Sequence, residues 1–191
     1  MSYKVKHESG TTLIEIMVSI VVIAIGLLGL ASMQINALKF QQTASQRSEA
    51  MQASYDLADK MRANFVFTAP EEFKKRREDE RTANEAKYTN KGTYDAISQA
   101  AHSAPTCGTV TSGGACTSAQ IAANDLAAWQ LSLRQRLAGG AGIVEPVAGT
   151  TISTFDVWVM WREPTFDGTD TCAENSSPPR GVRCFKVRIS I

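Results

Sequence analysis

Histidine is nearly absent: the 191 residues contain two, His7 and His102, far apart in the chain. A histidine-built metal cluster or a histidine-rich active site is therefore excluded. Net charge is also nearly absent, with 20 Lys and Arg against 19 Asp and Glu. That balance denies the chain a general electrostatic grip on nucleic acid, which needs a surplus of positive charge. The 4 cysteines are too few for a disulfide-dense miniprotein, and no C-x-x-C with interleaved histidine marks a zinc site. There is no G-x-S-x-G, no H-E-x-x-H and no phosphate-binding loop. His102 stands in a Ser/Ala-rich stretch and reads as a solvated residue rather than a base. With no nucleophile beside a base, the chain reads as a non-enzyme that needs no cofactor and no metal. A hydrophobic share of 43% is nevertheless normal for a folded protein. The length suits one domain, alone or with a tail.

Charge is missing altogether over residues 16–38. A bilayer core of ~30 Å calls for about 20 apolar helical residues, so this run is long enough to span. The short segment before it carries Lys4 and Lys6 against one acid, Glu8. The positive-inside rule then places the N-terminus in the cytoplasm and the bulk of the chain outside. Three fates for the segment compete. It can stay as an uncleaved anchor. It can be a secretory signal cut near Gly29-Leu30-Ala31, although the apolar stretch exceeds the usual ~7–15 residues. Or the junction itself is the signal: a polar, basic leader ends at Gly10, and Thr11-Thr12-Leu13-Ile14-Glu15 opens the apolar helix at once. Glu15 is the odd residue. A carboxylate at the centre of an apolar span costs on the order of 3 kcal/mol. Near the membrane edge the cost is smaller, because the side chain reaches the headgroups. Glu15 either marks that edge or meets a positive partner inside an assembly.

The string from Gly10 to Glu15, a basic leader before it and a long apolar helix after it, resembles the class III signal of type IV pilins and pseudopilins. The resemblance implies cleavage between Gly10 and Thr11 by a prepilin peptidase and N-methylation of Thr11. It makes Glu15 the fifth mature residue, the glutamate such proteins use in assembly. One departure is Thr11 itself, where family members commonly carry Phe. The implied partners are the major pilin, other minor pilins, the peptidase, an inner-membrane assembly platform and, before assembly, membrane lipid. The implied location is the inner membrane, with the head in the periplasm, and then the pilus at the cell surface. The implied role is that of a minor pilin that primes or modifies pilus assembly. A minor pseudopilin of a type II secretion system, or a single-pass membrane protein with a periplasmic binding domain, is the alternative.

The rest of the chain divides accordingly: 1–10 leader, 11–38 hydrophobic helix for membrane or filament core, 39–65 the amphipathic half of that helix, 66–191 a globular head. No Gly or Pro interrupts residues 39–64. Met51, Tyr55, Ala58, Met61 and Phe65 recur at helical spacing and predict the buried stripe. Gln41, Gln42, Gln46, Arg47, Glu49, Gln52, Asp59, Lys60 and Arg62 should face away. Residues 71–81 hold five acids and five bases and read as a solvated, self-compensating surface segment. Residues 92–114 read as loop. A second helix over 118–137, capped by Thr117 or Ser118, carries the stripe Leu126, Trp129, Leu133 and Leu137 and stops at Gly139-Gly140. Alternation over 155–161 and 185–191 predicts antiparallel strands, with further strand near 143–147. The plan is α+β: a long N-terminal helix packed on a small head with an antiparallel sheet.

Cys107, Cys116, Cys172 and Cys184 allow three pairings, and spacing alone does not choose among them. The expectation is two local bridges, Cys107–Cys116 and Cys172–Cys184, each closing a Gly- or Pro-containing loop. In an oxidising compartment each is worth ~3 kcal/mol in the chain-entropy picture.

Overall fold

The structure, a computed structural model, describes residues 12–65, 74–101 and 116–191. It is the α+β arrangement that the sequence pattern predicts. The chain divides into two units, Met1–Gln42 and Thr43–Ile191. Helix α1, Leu13–Asn64, contributes to both. Every described residue of the first unit is exposed.

The second unit adds helices α2 (Lys74–Tyr88), α3 (Tyr94–Gln99) and α4 (Ser118–Arg136) and strands β1 (Ala141–Pro146), β2 (Thr154–Arg162) and β3 (Val182–Ser190). The strands form an antiparallel sheet in the order β1-β2-β3. Val157 lies opposite Val144 on one side and Val187 on the other. The alternation along β2 assigns its faces. Phe155, Val157, Val159 and Trp161 pack with Ala50, Leu57, Met61, Trp129 and Leu133 of α1 and α4. Trp158 and Met160 point the opposite way, yet they too are buried, against Tyr94, Ile97, Ala173 and Val182. From Val157 to Trp161, where its apolar run is unbroken, β2 is therefore covered on both faces.

Helix α4 starts where its sequence dictates. Thr117 Oγ1 accepts from Gln120 N–H at 3.3 Å and Gln120 Oε1 accepts from Thr117 N–H at 2.9 Å, a reciprocal capping box. It ends in a turn at Gly139, whose φ of 62° suits glycine. Asn64 joins three helix ends: its Nδ2 donates to Tyr88 Oη (3.0 Å) and to Ser118 O (2.8 Å). Tyr88 Oη in turn donates to Asp125 (2.8 Å). Burial and Asp125 push the Tyr88 phenol far up, so it stays a donor.

Three sequence expectations need correction. The buried face of α1 is Ala50, Ala53, Ser54, Leu57, Ala58, Met61 and Asn64; Met51 and Tyr55 are 45% and 51% exposed. Small side chains stand on this face, where Ala53 O accepts the indole N–H of the buried Trp129 at 3.0 Å. Gln46 does not face away: its Oε1 accepts the Trp161 indole N–H at 3.1 Å. The charged segment is surface as expected: its described part, 74–81, has no buried residue and lies in α2, where Arg81 pairs with Glu85 at i,i+4 (3.5 Å). Part of the expected loop is α3, whose N-cap Thr93 accepts from Ala96 N–H and which buries Tyr94 and Ile97. Arg134 of α4 donates to the carbonyls of Ile97 and Ala100, satisfying groups at the C-terminal end of α3.

Gly142 of β1 faces α4 so closely that a Cβ would fall 2.2 Å from the Trp129 ring. Gly142→Ala should therefore lower unfolding free energy by about 1–3 kcal/mol through overpacking. Urea unfolding of the detergent-solubilised chain, followed by tryptophan fluorescence, measures it. An unchanged midpoint would mean that the helix and strand can separate freely.

Candidate functional site

The N-terminal region is built on α1. Glu15 sits in the first turn, its N–H bonded to Thr12 O at 3.0 Å. Ser19 Oγ donates to Glu15 O at 2.7 Å, so its hydroxyl is satisfied within the helix. Around and beyond Glu15 the surface is apolar on all sides: Leu13 is 77%, Leu28 73% and Phe40 77% exposed. Among the described residues α1 is the one helix long and apolar enough to cross a membrane, and none of its apolar window is buried in the fold. Glu15 is the only ionisable residue between Thr12 and Leu38. Gly10 and Thr11, the expected cleavage and methylation positions, lie outside the described residues.

The second unit carries another constellation, in the connection between β2 and β3. Glu163 is buried, its side chain 6% exposed. Its Oε1 accepts from Thr43 Oγ1 (2.7 Å) and Thr165 Oγ1 (3.3 Å), and its Oε2 accepts from Arg183 Nε (2.9 Å). Burial alone would push the Glu163 carboxyl up, but these hydrogen bonds and the Arg183 charge hold it below the ordinary range. Arg183 also reaches Asp170 (3.4 Å) and lies over the Phe166 ring, 3.6 Å from its centre. Asp170 Oδ2 accepts from Cys184 N–H at 3.2 Å. Beside it, Cys172 and Cys184 form a disulfide with Cα atoms 5.3 Å apart. Cys116, just before the α4 cap, is disulfide-bonded as well. Cys107 lies outside the described residues. On the open sheet surface Asp156 binds Arg188 bidentately, at 2.7 and 2.9 Å, which holds its carboxyl below the ordinary range.

Sequence reasoning missed the Glu163 cluster. Arg162-Glu163-Pro164 reads only as a strand stop, and the partners Thr43 and Arg183 are 120 and 20 residues away. The one hint was an acid placed directly between a buried strand and a proline.

Among the described residues no group of three or more His, Cys, Asp or Glu could hold a metal. An open groove of about 580 Å³ against α2 is lined by Lys74, Arg77, Arg81, Thr150 and Ser153, among others. Arg81 there already donates to Thr150 O (2.8 Å) and pairs with Glu85, and Arg77 is engaged too. The groove thus has no concentration of uncommitted positive charge.

Comparison with known proteins finds one family match: the model of the prokaryotic N-terminal methylation motif covers residues 5–31. That span includes Gly10, Thr11, Glu15 and most of the uncharged helix. It supports a type IV pilin-like protein, compatible with pilus or pseudopilus roles. No curated protein and no solved structure matches the chain.

The carboxyl shifts set a sign for acid stability. Glu163 and Asp156 are both held below their ordinary values, so their stabilisation is complete above the ordinary carboxylate range and is lost as pH falls through the lowered values. Unfolding free energy should fall on acidification from about pH 5 to 3. Glu163→Gln should cost about 1–3 kcal/mol at neutral pH, since Arg183 loses its buried partner but keeps Asp170. The variant should also show a shallower acid slope. An identical slope in variant and parent would remove Glu163 from this account.

Proposed function

We propose that this chain is a minor pilin that primes or modifies type IV pilus assembly, acting at or near the tip and supporting pilus-dependent motility and adhesion. One observation carries the reading. A leader ending in Gly10, a lone carboxylate at Glu15 and an uncharged helix exposed on every side coincide in one stretch that the methylation-motif family model matches. Within that class the chain most resembles the minor pilin PilV. The likeness rests on the string from Thr12 to Ala31, on the strand ending Trp161-Arg-Glu-Pro164 and on the final strand running to Ile191.

The physical sequence of events follows from the helix. Its apolar surface stores the subunit in the inner membrane, N-terminus in the cytoplasm and head in the periplasm. A prepilin peptidase cuts between Gly10 and Thr11, and Thr11 becomes a methylated N-terminal amine. The assembly platform then moves the subunit from lipid to a bundle of like helices made by the major and other minor pilins. Both surroundings are apolar, so the transfer needs no refolding of α1. In the bundle the Glu15 carboxylate meets an N-terminal ammonium, its own or a neighbour's, which offsets the cost of burying both charges and sets axial register. Cys107 is the partner of Cys116 in the same reading. The chain is here a structural subunit that binds no nucleic acid and catalyses nothing.

N-terminal sequencing of membrane-extracted protein should return Thr11, and Gly10→Val should leave the leader attached. A mature start at Met1 or Ser32 would sink the pilin reading. Glu15→Ala should insert at least as well as the parent, because a charge leaves the span. It should nevertheless fail in assembly, with a loss of about 3–5 kcal/mol per unpaired ammonium where the site is fully buried. The measurement is complementation of a strain lacking the gene, scored for surface pili and for the protein in sheared filaments. Normal incorporation at normal membrane levels would reduce Glu15 to a marker of the membrane edge. Intact pili together with lost protein secretion would assign the chain to a secretion pseudopilus instead.

A further inference from the structure

The two edges of the sheet are not alike. The outer edge of β1 is occupied at its centre: Asn90 N–H donates to Val144 O at 3.0 Å, and Val144 N–H donates to Asn90 O at 2.9 Å. The outer edge of β3 has no such cover among the described residues. Its outward backbone groups can be identified by parity. Cys184 N–H points away from β2, since it donates to the Asp170 side chain. Ser190 O points away too, accepting from Arg62 Nη2 at 3.4 Å. Alternate residues of a strand share an edge, so Lys186 and Arg188 also turn their N–H and C=O outward. Neither has a backbone partner on that side among the described residues. Both side chains are exposed.

We infer that the β3 edge is a docking site for an extended strand of another protein, with acidic residues alternating with apolar ones. Backbone pairing would come from Lys186 and Arg188, as in strand addition to an open sheet edge. The two faces of the added strand follow from what β3 presents. On one face Lys186 and Arg188 share the single carboxylate of Asp156, at 3.7 and 2.7 Å, leaving surplus positive charge at the edge. Acids on the incoming strand would lie directly across from them. On the other face Phe185 and Val187 pack on the core but are only partly buried. Apolar residues of the incoming strand would cover them. A second copy of this chain does not fit. Pairing β3 with β3 would set Lys186 and Arg188 against their own kind, and like charges directly opposite are destabilising. The same cations protect the edge from indiscriminate pairing.

The probe is a short synthetic peptide alternating valine and glutamate, added to the full chain in detergent micelles, with amide hydrogen exchange read residue by residue. Exchange at Lys186 and Arg188 should slow about tenfold or more. Phe185 and Val187, whose N–H groups face β2, should not change. The peptide with lysine in place of glutamate should give no slowing, and neither should the glutamate peptide N-methylated at alternate residues. Lys186→Glu, at an exposed position outside the core, should shift the preference toward the lysine peptide. No slowing with the glutamate peptide would overturn the proposal, as would equal slowing with the methylated one. Slowing that grows with protein concentration alone would overturn it in favour of a second copy.

Discussion

Trp129 sets the spacing of the second unit. It is fully buried, and its indole N–H donates to Ala53 O of α1 at 3.0 Å. The far side of its ring lies where a side chain on Gly142 would begin. The neighbouring Gln130 binds Gly142 twice, accepting from its N–H at 3.0 Å and donating to its C=O at 2.6 Å. Two adjacent residues of α4 thus fix that helix against both α1 and β1. The consequences reach the sequence of both partners. β1 must have a glycine at 142. α1 must present small residues to the interior, which Ala50, Ala53, Ser54 and Ala58 do. A large aromatic at the centre of such a layer takes most of the room, and close packing leaves its neighbours only small side chains.

That constraint explains which parts of the fold were legible in the sequence. The long helix, α4 and the strands follow from periodicity, and α4 even shows its cap. The buried stripe of α1 was misassigned because periodicity weighs large apolar residues most, and here Met51 and Tyr55 are outside while alanines are inside. Gln46 looked solvent-facing because an amide is polar, but a buried indole needs an acceptor. α3 has six residues in a Ser- and Ala-rich stretch, too few for a period to emerge. In the site, the string from Gly10 to Glu15 is local and could be read directly. The Glu163 cluster could not. Its meaning depends on Thr43 and Arg183 arriving from other elements, and no spacing rule carries a contact over that distance.

The first unit poses a different physical problem. Its residues are apolar around the full circumference, so no orientation of the helix hides them from water. Only lipid or other helices can do that. The few polar groups are distributed consistently with such surroundings. Ser19 hydrogen-bonds to the carbonyl one turn back and presents little unsatisfied polarity. Ser32, Gln34 and Asn36 occur only toward the far end of the run. Glu15 stands near its start, where the cost of a carboxylate in apolar surroundings is lowest because the side chain can reach water. One charge at one end is the single polar asymmetry among the ionisable residues of an otherwise uniform apolar helix.

The second unit has only three strands and a modest core, and the connection between β2 and β3 contains no helix or strand. Long connections without their own structure need pins. This one has the Glu163–Arg183 pair at its ends, Asp170 reaching back to Arg183 and to Cys184 N–H, and the Cys172–Cys184 disulfide. All of them converge on the first residues of β3. They use up the outward backbone donor at Cys184 and stop there. From Lys186 onward the strand has its inner edge bonded to β2 and its outer donors uncommitted among the described residues. The devices that hold the connection in place therefore also determine where the open edge of the sheet begins, and which two residues can recognise whatever pairs with it.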